Sequence, residues 1–136
     1  MAKKPSVYVD TGAFIAFLDK SDTYHSLFAH LFADPPGLIS TPFVIAEGQG
    51  WFLKRYDSYK ALQFMSFIEE LKPLIVLDIQ KEEMKGASSM LRHFSDQNLT
   101  LADACGLWLM KKMKIKTCWG TDRHLTLTGA SLCIYE

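Results

Sequence analysis

Short apolar runs and stretches of helical spacing alternate from one end of this chain to the other. Val7-Tyr8-Val9, Leu38-Ile39-Ser40, Leu74-Ile75-Val76-Leu77, Thr117-Cys118-Trp119-Gly120 and Ser131-Leu132-Cys133-Ile134-Tyr135 each read as a buried strand. Strands separated by helices pair through crossovers rather than hairpins, and helices then cover both faces of the sheet. The expected fold class is α/β: a three-layer α/β/α sandwich around a mainly parallel sheet of roughly five strands.

The helices have readable ends. Ala13 to Leu18 is a first short helix. Ser21 or Asp22 is placed to cap a second, about Thr23 to Phe32, which Pro35-Pro36-Gly37 stops. Thr41-Pro42 is an N-cap followed by proline at the first helical position, opening a helix to about Lys54. Asp57 or Ser58 caps a helix to about Leu71. From Lys81 to Phe94, the residues Met84, Ala87, Met90, Leu91 and Phe94 fall on one helical face. Thr100 caps a helix to Met113.

With 136 residues, the expectation is one domain over 1–136, large enough for a core without disulfides. No apolar run nears the roughly 18 residues that span a bilayer. The start, Met1 to Ser6, lacks the apolar core of a secretory leader, so a cytoplasmic protein away from the membrane is expected. Cys105, Cys118 and Cys133 are odd in number and lack C-x-x-C spacing, which points to buried reduced thiols. Fifteen basic and fifteen acidic residues leave no net charge. That disfavours a tight, sequence-independent nucleic-acid binder. It disfavours a nuclease less, because an acidic metal site offsets basic groups elsewhere.

Four acids sit where acids are costly. Asp10 ends the first strand, Glu47 interrupts Phe43-Val44-Ile45-Ala46, Asp103 opens a helix, and Asp122 follows the fourth strand. Buried carboxylates need pairing, hydrogen bonds or a metal. Asp10 and Asp122 can also be read as helix caps. Thr100-x-x-Asp103 can be read as a capping box. Glu47 lies almost two turns past its N-cap, beyond the free amides. Its helical neighbours Phe43, Val44 and Trp51 are apolar, so the capping reading fails and a structural salt bridge is what remains against a site role. As a set, the acids suit magnesium or manganese, which take carboxylate oxygens and leave positions for water and phosphate. Such ions activate water and offset charge on a leaving oxygen, as phosphodiester hydrolysis requires.

Other acidic α/β sites fit worse. A haloacid-dehalogenase-type phosphatase has a second Asp two positions after the first, where this chain has Gly12. A response-regulator receiver has an acidic pair near the first strand and a lysine after the last; here Asp10 stands alone and the chain ends Ile134-Tyr135-Glu136. Neither G-x-x-x-x-G-K-[ST] nor G-x-G-x-x-G occurs.

The ordered set Val7-Tyr8-Val9-Asp10-Thr11, Thr41-Pro42 with Glu47, Leu101-Ala102-Asp103-Ala104 and Gly120-Thr121-Asp122-Arg123-His124 resembles the PIN domain, in its small VapC-like toxin form. The resemblance spans essentially the whole chain. It implies a magnesium- or manganese-dependent endoribonuclease leaving 5′-phosphate and 3′-hydroxyl ends. It implies the toxin of a type II toxin–antitoxin pair, with a cognate antitoxin protein and a homodimer as partners. By position it makes Asp10, Glu47, Asp103 and Asp122 the catalytic and metal-binding acids, with Asp10 and Asp103 the most direct ligands. Thr11 and Thr121 match the supporting hydroxyls. Two departures stand out: Gly12, where the family often has Ser, and the bulky Trp119. The alternative is a non-catalytic PIN-fold module that binds RNA or protein and keeps its acids for structure.

Around these acids, Arg123 or His124 can reach a substrate phosphate. Lys111, Lys112, Lys114 and Lys116 read as a solvated helix end. Trp51 and Trp108 read as core or interface residues rather than stacking platforms.

Overall fold

The computed structural model describes residues 4–136. Of the Met1–Ser6 start, residues 1–3 lie outside the described range. Five strands form one sheet: β1 (Pro5–Val9), β2 (Gly37–Ser40), β3 (Leu74–Val76), β4 (Thr117–Trp119) and β5 (Ser131–Leu132). Their order is β3-β2-β1-β4-β5, and every neighbouring pair is parallel. Six helices lie between them: α1 (Thr11–Leu18), α2 (His25–Ala33), α3 (Pro42–Arg55), α4 (Ser58–Glu70), α5 (Lys81–His93) and α6 (Leu101–Met113).

The strand order assigns the layers. The chain steps from β1 to β2 to β3 in one direction, then crosses back over the sheet to β4. Right-handed crossovers in opposite directions put their helices on opposite faces. Accordingly α1 packs against α2 and α3, α3 against α4, and α5 against α6. The result is the expected α/β/α sandwich.

The α1–α4 side is filled by rings. Phe14, fully buried, meets Phe32, Phe64 and Phe67 with ring centroids 5.8, 6.2 and 6.2 Å away. Trp119 reaches this cluster from β4, edge-on to Phe32 at 5.1 Å. Its bulk is therefore absorbed by core packing. On the other side, α6 is buried along most of its length. It approaches β1 closely at Gly106, where a β-carbon would stand 2.6 Å from the Tyr8 hydroxyl oxygen. The three cysteines are buried and free, as expected.

Three local expectations change. β5 stops at Leu132, and Cys133–Tyr135 forms a 3₁₀ turn. Leu132 pairs with Cys118, and β4 offers only Trp119 beyond that pair before it ends, too little for β5 to extend along. The second helix starts at His25, not Thr23. Asp22 accepts from the Tyr24 amide at 2.9 Å and so shapes a turn before the helix. β3 is partly exposed rather than buried, because it is an edge strand.

Among the described residues, no helix is long and apolar enough to cross a membrane.

Candidate active site

The sheet reverses its winding between β1 and β4, and ligands in such sheets bind beyond the strand ends at this switch point. Asp10 is the first residue past β1. Its amide donates to the Trp119 carbonyl at 2.9 Å, so the ladder holds the backbone in place up to the acid itself. Asp10 occupies the N-cap position of α1, but its side chain makes no capping bond to the helix's second or third amide. Gly120 faces it: a β-carbon there would come within 3.0 Å of the Asp10 β-carbon. That glycine gives the β4 loop room to pass the carboxylate.

Asp103 arrives on the first turn of α6. Its carboxylate accepts from the Thr100 amide at 3.2 Å, while the Thr100 hydroxyl accepts from the Asp103 amide at 3.1 Å. The capping box therefore forms, and it uses one oxygen, Oδ2. Capping and site roles are compatible, because the cap fixes the carboxylate and leaves its other oxygen without a bond in that box. We predict that Thr100→Ala costs about 1 kcal/mol of stability and weakens manganese binding by roughly 10-fold or more. Parallel thermal melts and calorimetric titrations check this; a stability loss with unchanged affinity would make the box purely structural.

Asp122 follows β4 and caps a 3₁₀ turn, Arg123–Thr126, accepting from the His124 amide at 2.9 Å. The His124 ring nitrogen Nδ1 lies 3.0 Å from the same carboxylate. Asp103, Asp122 and His124 each offer a ligand atom, and these atoms lie within 4.8 Å of one another. The sequence places His124 only as a substrate contact. Its Asp-x-His spacing is the signal for this second position.

The expectation of sheltered acids needs correction. None of the four is buried, and Glu47 is exposed. Of its apolar helical neighbours, Val44 is buried in the core while Trp51 lines an open hollow beside Glu47. The acid that is buried is Asp19, at 8% exposure, which the sequence did not single out. Ser21 donates to it twice and Tyr56 once, at 2.7 to 3.0 Å. Burial works to raise its pKa, but these bonds and the nearby Arg55 charge win and lower it.

The four acids nonetheless act on one another. Asp10 is raised to about 7, first by desolvation and then by the charges of Asp103, Glu47 and Asp122; a hydrogen bond from the Thr11 amide opposes this. The charges of the other three act on Asp10, while among the described residues only Asp103, Asp122 and His124 bring ligand atoms within 4.8 Å of one another. A divalent cation fits this group, because uncompensated carboxylate oxygens are its preferred donors. Asp103, Asp122 and His124 would hold it; the ligand atoms of Asp10 and Glu47 are not among those within 4.8 Å of one another.

The supporting threonines sit close by. Thr11 is buried at 3% exposure, and its hydroxyl has no hydrogen-bond partner among the described residues. A β-carbon at Gly12 would stand 2.6 Å from the Thr121 hydroxyl oxygen. Thr121 therefore takes the space a serine at position 12 would need. Arg123 is exposed beside Asp122.

A family model for the PIN domain matches residues 7–127. The chain belongs to the PIN domain family. No curated protein matches it by sequence. Among solved structures, it is similar to Mycobacterium tuberculosis VapC20, a sarcin–ricin loop cleaving toxin, with a TM-score of 0.83 and 19% identity over 93% of this chain and 97% of that one. It is also similar to PAE2754 from Pyrobaculum aerophilum, with a TM-score of 0.63 and 16% identity over 96% and 91% of the two chains. At such identities these likenesses speak for the fold.

Proposed function

We propose that this chain, as one domain over 1–136, is a magnesium- or manganese-dependent endoribonuclease, the toxin of a toxin–antitoxin pair. The observation that carries the reading is the grouping of Asp103, Asp122 and His124 at the β1/β4 switch point, with the charges of Asp103, Glu47 and Asp122 acting on Asp10, supported by membership of the PIN family. When bound, a divalent cation lowers the pKa of water and offsets charge on phosphoryl oxygens. Asp103, Asp122 and His124 would hold it, with Asp10 as a further carboxylate, and Glu47 would orient the attacking water from the rim. Water attacks phosphorus, the bond to the 3′ oxygen breaks, and the departing oxygen takes up a proton. The products carry 5′-phosphate and 3′-hydroxyl ends. Thr11 steadies Asp10 through its backbone amide, Thr121 supplies a hydroxyl beside Gly12, and Arg123 contacts a phosphate. A cognate antitoxin and a second copy of the chain are the protein partners of this reading.

The alternative, a binding module that keeps its acids for structure, gains support from the Thr100–Asp103 box. Asp10 weighs against it, since it makes no cap bond and faces three like charges. Purified protein with an RNA panel, in magnesium, manganese or chelator, tests the proposal. Cleavage should require the cation and should be faster in manganese, because His124 suits it better than magnesium. Equal cleavage in chelator, or none in any condition, would overturn the reading.

A further inference from the structure

A hollow of about 520 Å³ opens beside Glu47, lined by Ile15, Gly50, Trp51, Lys54 and Arg55. Its volume suits one nucleotide. Its chemistry is divided. Trp51 is part-exposed, and its ring braces edge-on against Phe52 at 4.9 Å and Tyr56 at 6.2 Å. Lys54 and Arg55 are exposed, and neither has a carboxylate in ion-pair distance among the described residues. A braced indole beside two such cations matches a base and its phosphates, since bases stack on aromatic faces while cations track the backbone. Glu47 joins this hollow to the acidic site: it lines the one and its charge acts on Asp10 in the other.

Gly50 bears on the same point. It lies inside α3, where glycine costs about 1 kcal/mol relative to alanine. Elsewhere the helical glycines answer to packing: β-carbons at Gly48 and Gly86 would strike the rings of Phe64 and Trp108. At Gly50 a β-carbon would meet nothing within 4 Å. Its absence leaves the mouth of the hollow open.

We propose that this hollow is a nucleotide subsite, which takes one base of a single-stranded RNA against Trp51 while Lys54 and Arg55 hold the adjoining phosphates. The inference deepens the ribonuclease reading and rests on it for the polymer bound. It revises the expectation that Trp51 serves only core or interface.

Three variants of the full chain test it: Gly50→Leu, which fills the hollow, Trp51→Ala, and the pair Lys54→Ala with Arg55→Ala. The probe is a fluorescent single-stranded RNA 12-mer, read by anisotropy in chelator so that no cleavage occurs. Gly50→Leu and Trp51→Ala should each weaken binding by about tenfold with an unchanged salt slope. The double lysine–arginine variant should flatten the slope of log affinity against log salt by about 1.4, or 0.7 for each phosphate that is no longer neutralised. In manganese, Gly50→Leu should raise KM and leave kcat near that of the parent. Gly50→Leu keeps every existing side chain, so it stays informative even if Trp51→Ala fails to fold. Wild-type binding and KM in Gly50→Leu would overturn the subsite while leaving the nuclease reading intact. RNA binding sensitive to these variants, without any cleavage, would uphold the subsite and sink the nuclease. A dimer in the parent that Gly50→Leu converts to monomer, with RNA affinity unchanged, would make the hollow a contact between copies and overturn the proposal.

Discussion

Asp10→Asn is expected to abolish the proposed cation-dependent RNA cleavage and to make the metal-free protein more stable. The two effects have one origin. Asp10 stands past β1 with three other carboxylates acting on it and no capping bond of its own. On the proposed reading, replacing it removes a carboxylate of the cation site, which we expect to slow cation-dependent RNA cleavage at least about a thousandfold, or roughly 4 kcal/mol. The same change removes an uncompensated charge. Asparagine keeps the shape, the cap position and the sheet bond from the residue's amide. In chelator at pH 7.5, the variant should be more stable by about 2 kcal/mol, after allowance for the water that reaches the side chain. Denaturant melts and a cleavage assay on the same preparations measure both. A less stable variant would make Asp10 a structural residue, and an active one would end its role as a ligand.

The metal-free wild type should also lose stability as pH rises from about 4 to about 7. Folded Asp10 keeps its proton up to about 7, against an ordinary value of 3.8. Between those values the folded state binds more protons than the unfolded one. Raising pH then favours unfolding. The contribution is fully present below the unfolded pKa and is gone above the folded one. Its size matches the gain expected from Asp10→Asn, about 2 kcal/mol, or roughly 6 °C in the melting midpoint for a domain of this length. Asp10→Asn should flatten this window. Saturating manganese should reverse it, since a cation at a hundred times its dissociation constant adds about 2.7 kcal/mol. A metal-free profile that rises across this interval would contradict the carboxylate cluster as described.

Much of the scaffold was legible because it is written locally. Thr41-Pro42 and Thr100-x-x-Asp103 are caps whose partners lie three residues away, and both form as read. The order of acids along the chain pointed to Asp103 and Asp122, which the structure groups with His124. What was not legible depends on distant parts. Asp19 is satisfied by Tyr56, thirty-seven residues further on, so nothing near it marks it as buried. Glu47 shares its helix with buried Val44 and with Trp51, yet helix spacing cannot reveal that the space beside Trp51 is open. His124 joins Asp103 only because α6 and the β4 loop end at the same place. β5 is shorter than its apolar run because its partner offers a single residue, Trp119, beyond their last pair.

The sheet's two rims have a consequence for the protein in concentrated solution. β3 exposes Ile75 and Val76 along an unpaired edge, an invitation to another chain's strand. But β3 spans three residues and β5, on the opposite rim, only two. An added strand would gain a ladder too short to repay its ordering, so fibre growth from either rim is blunted by length alone. The brevity of these strands leaves the apolar edge in water while denying it a template.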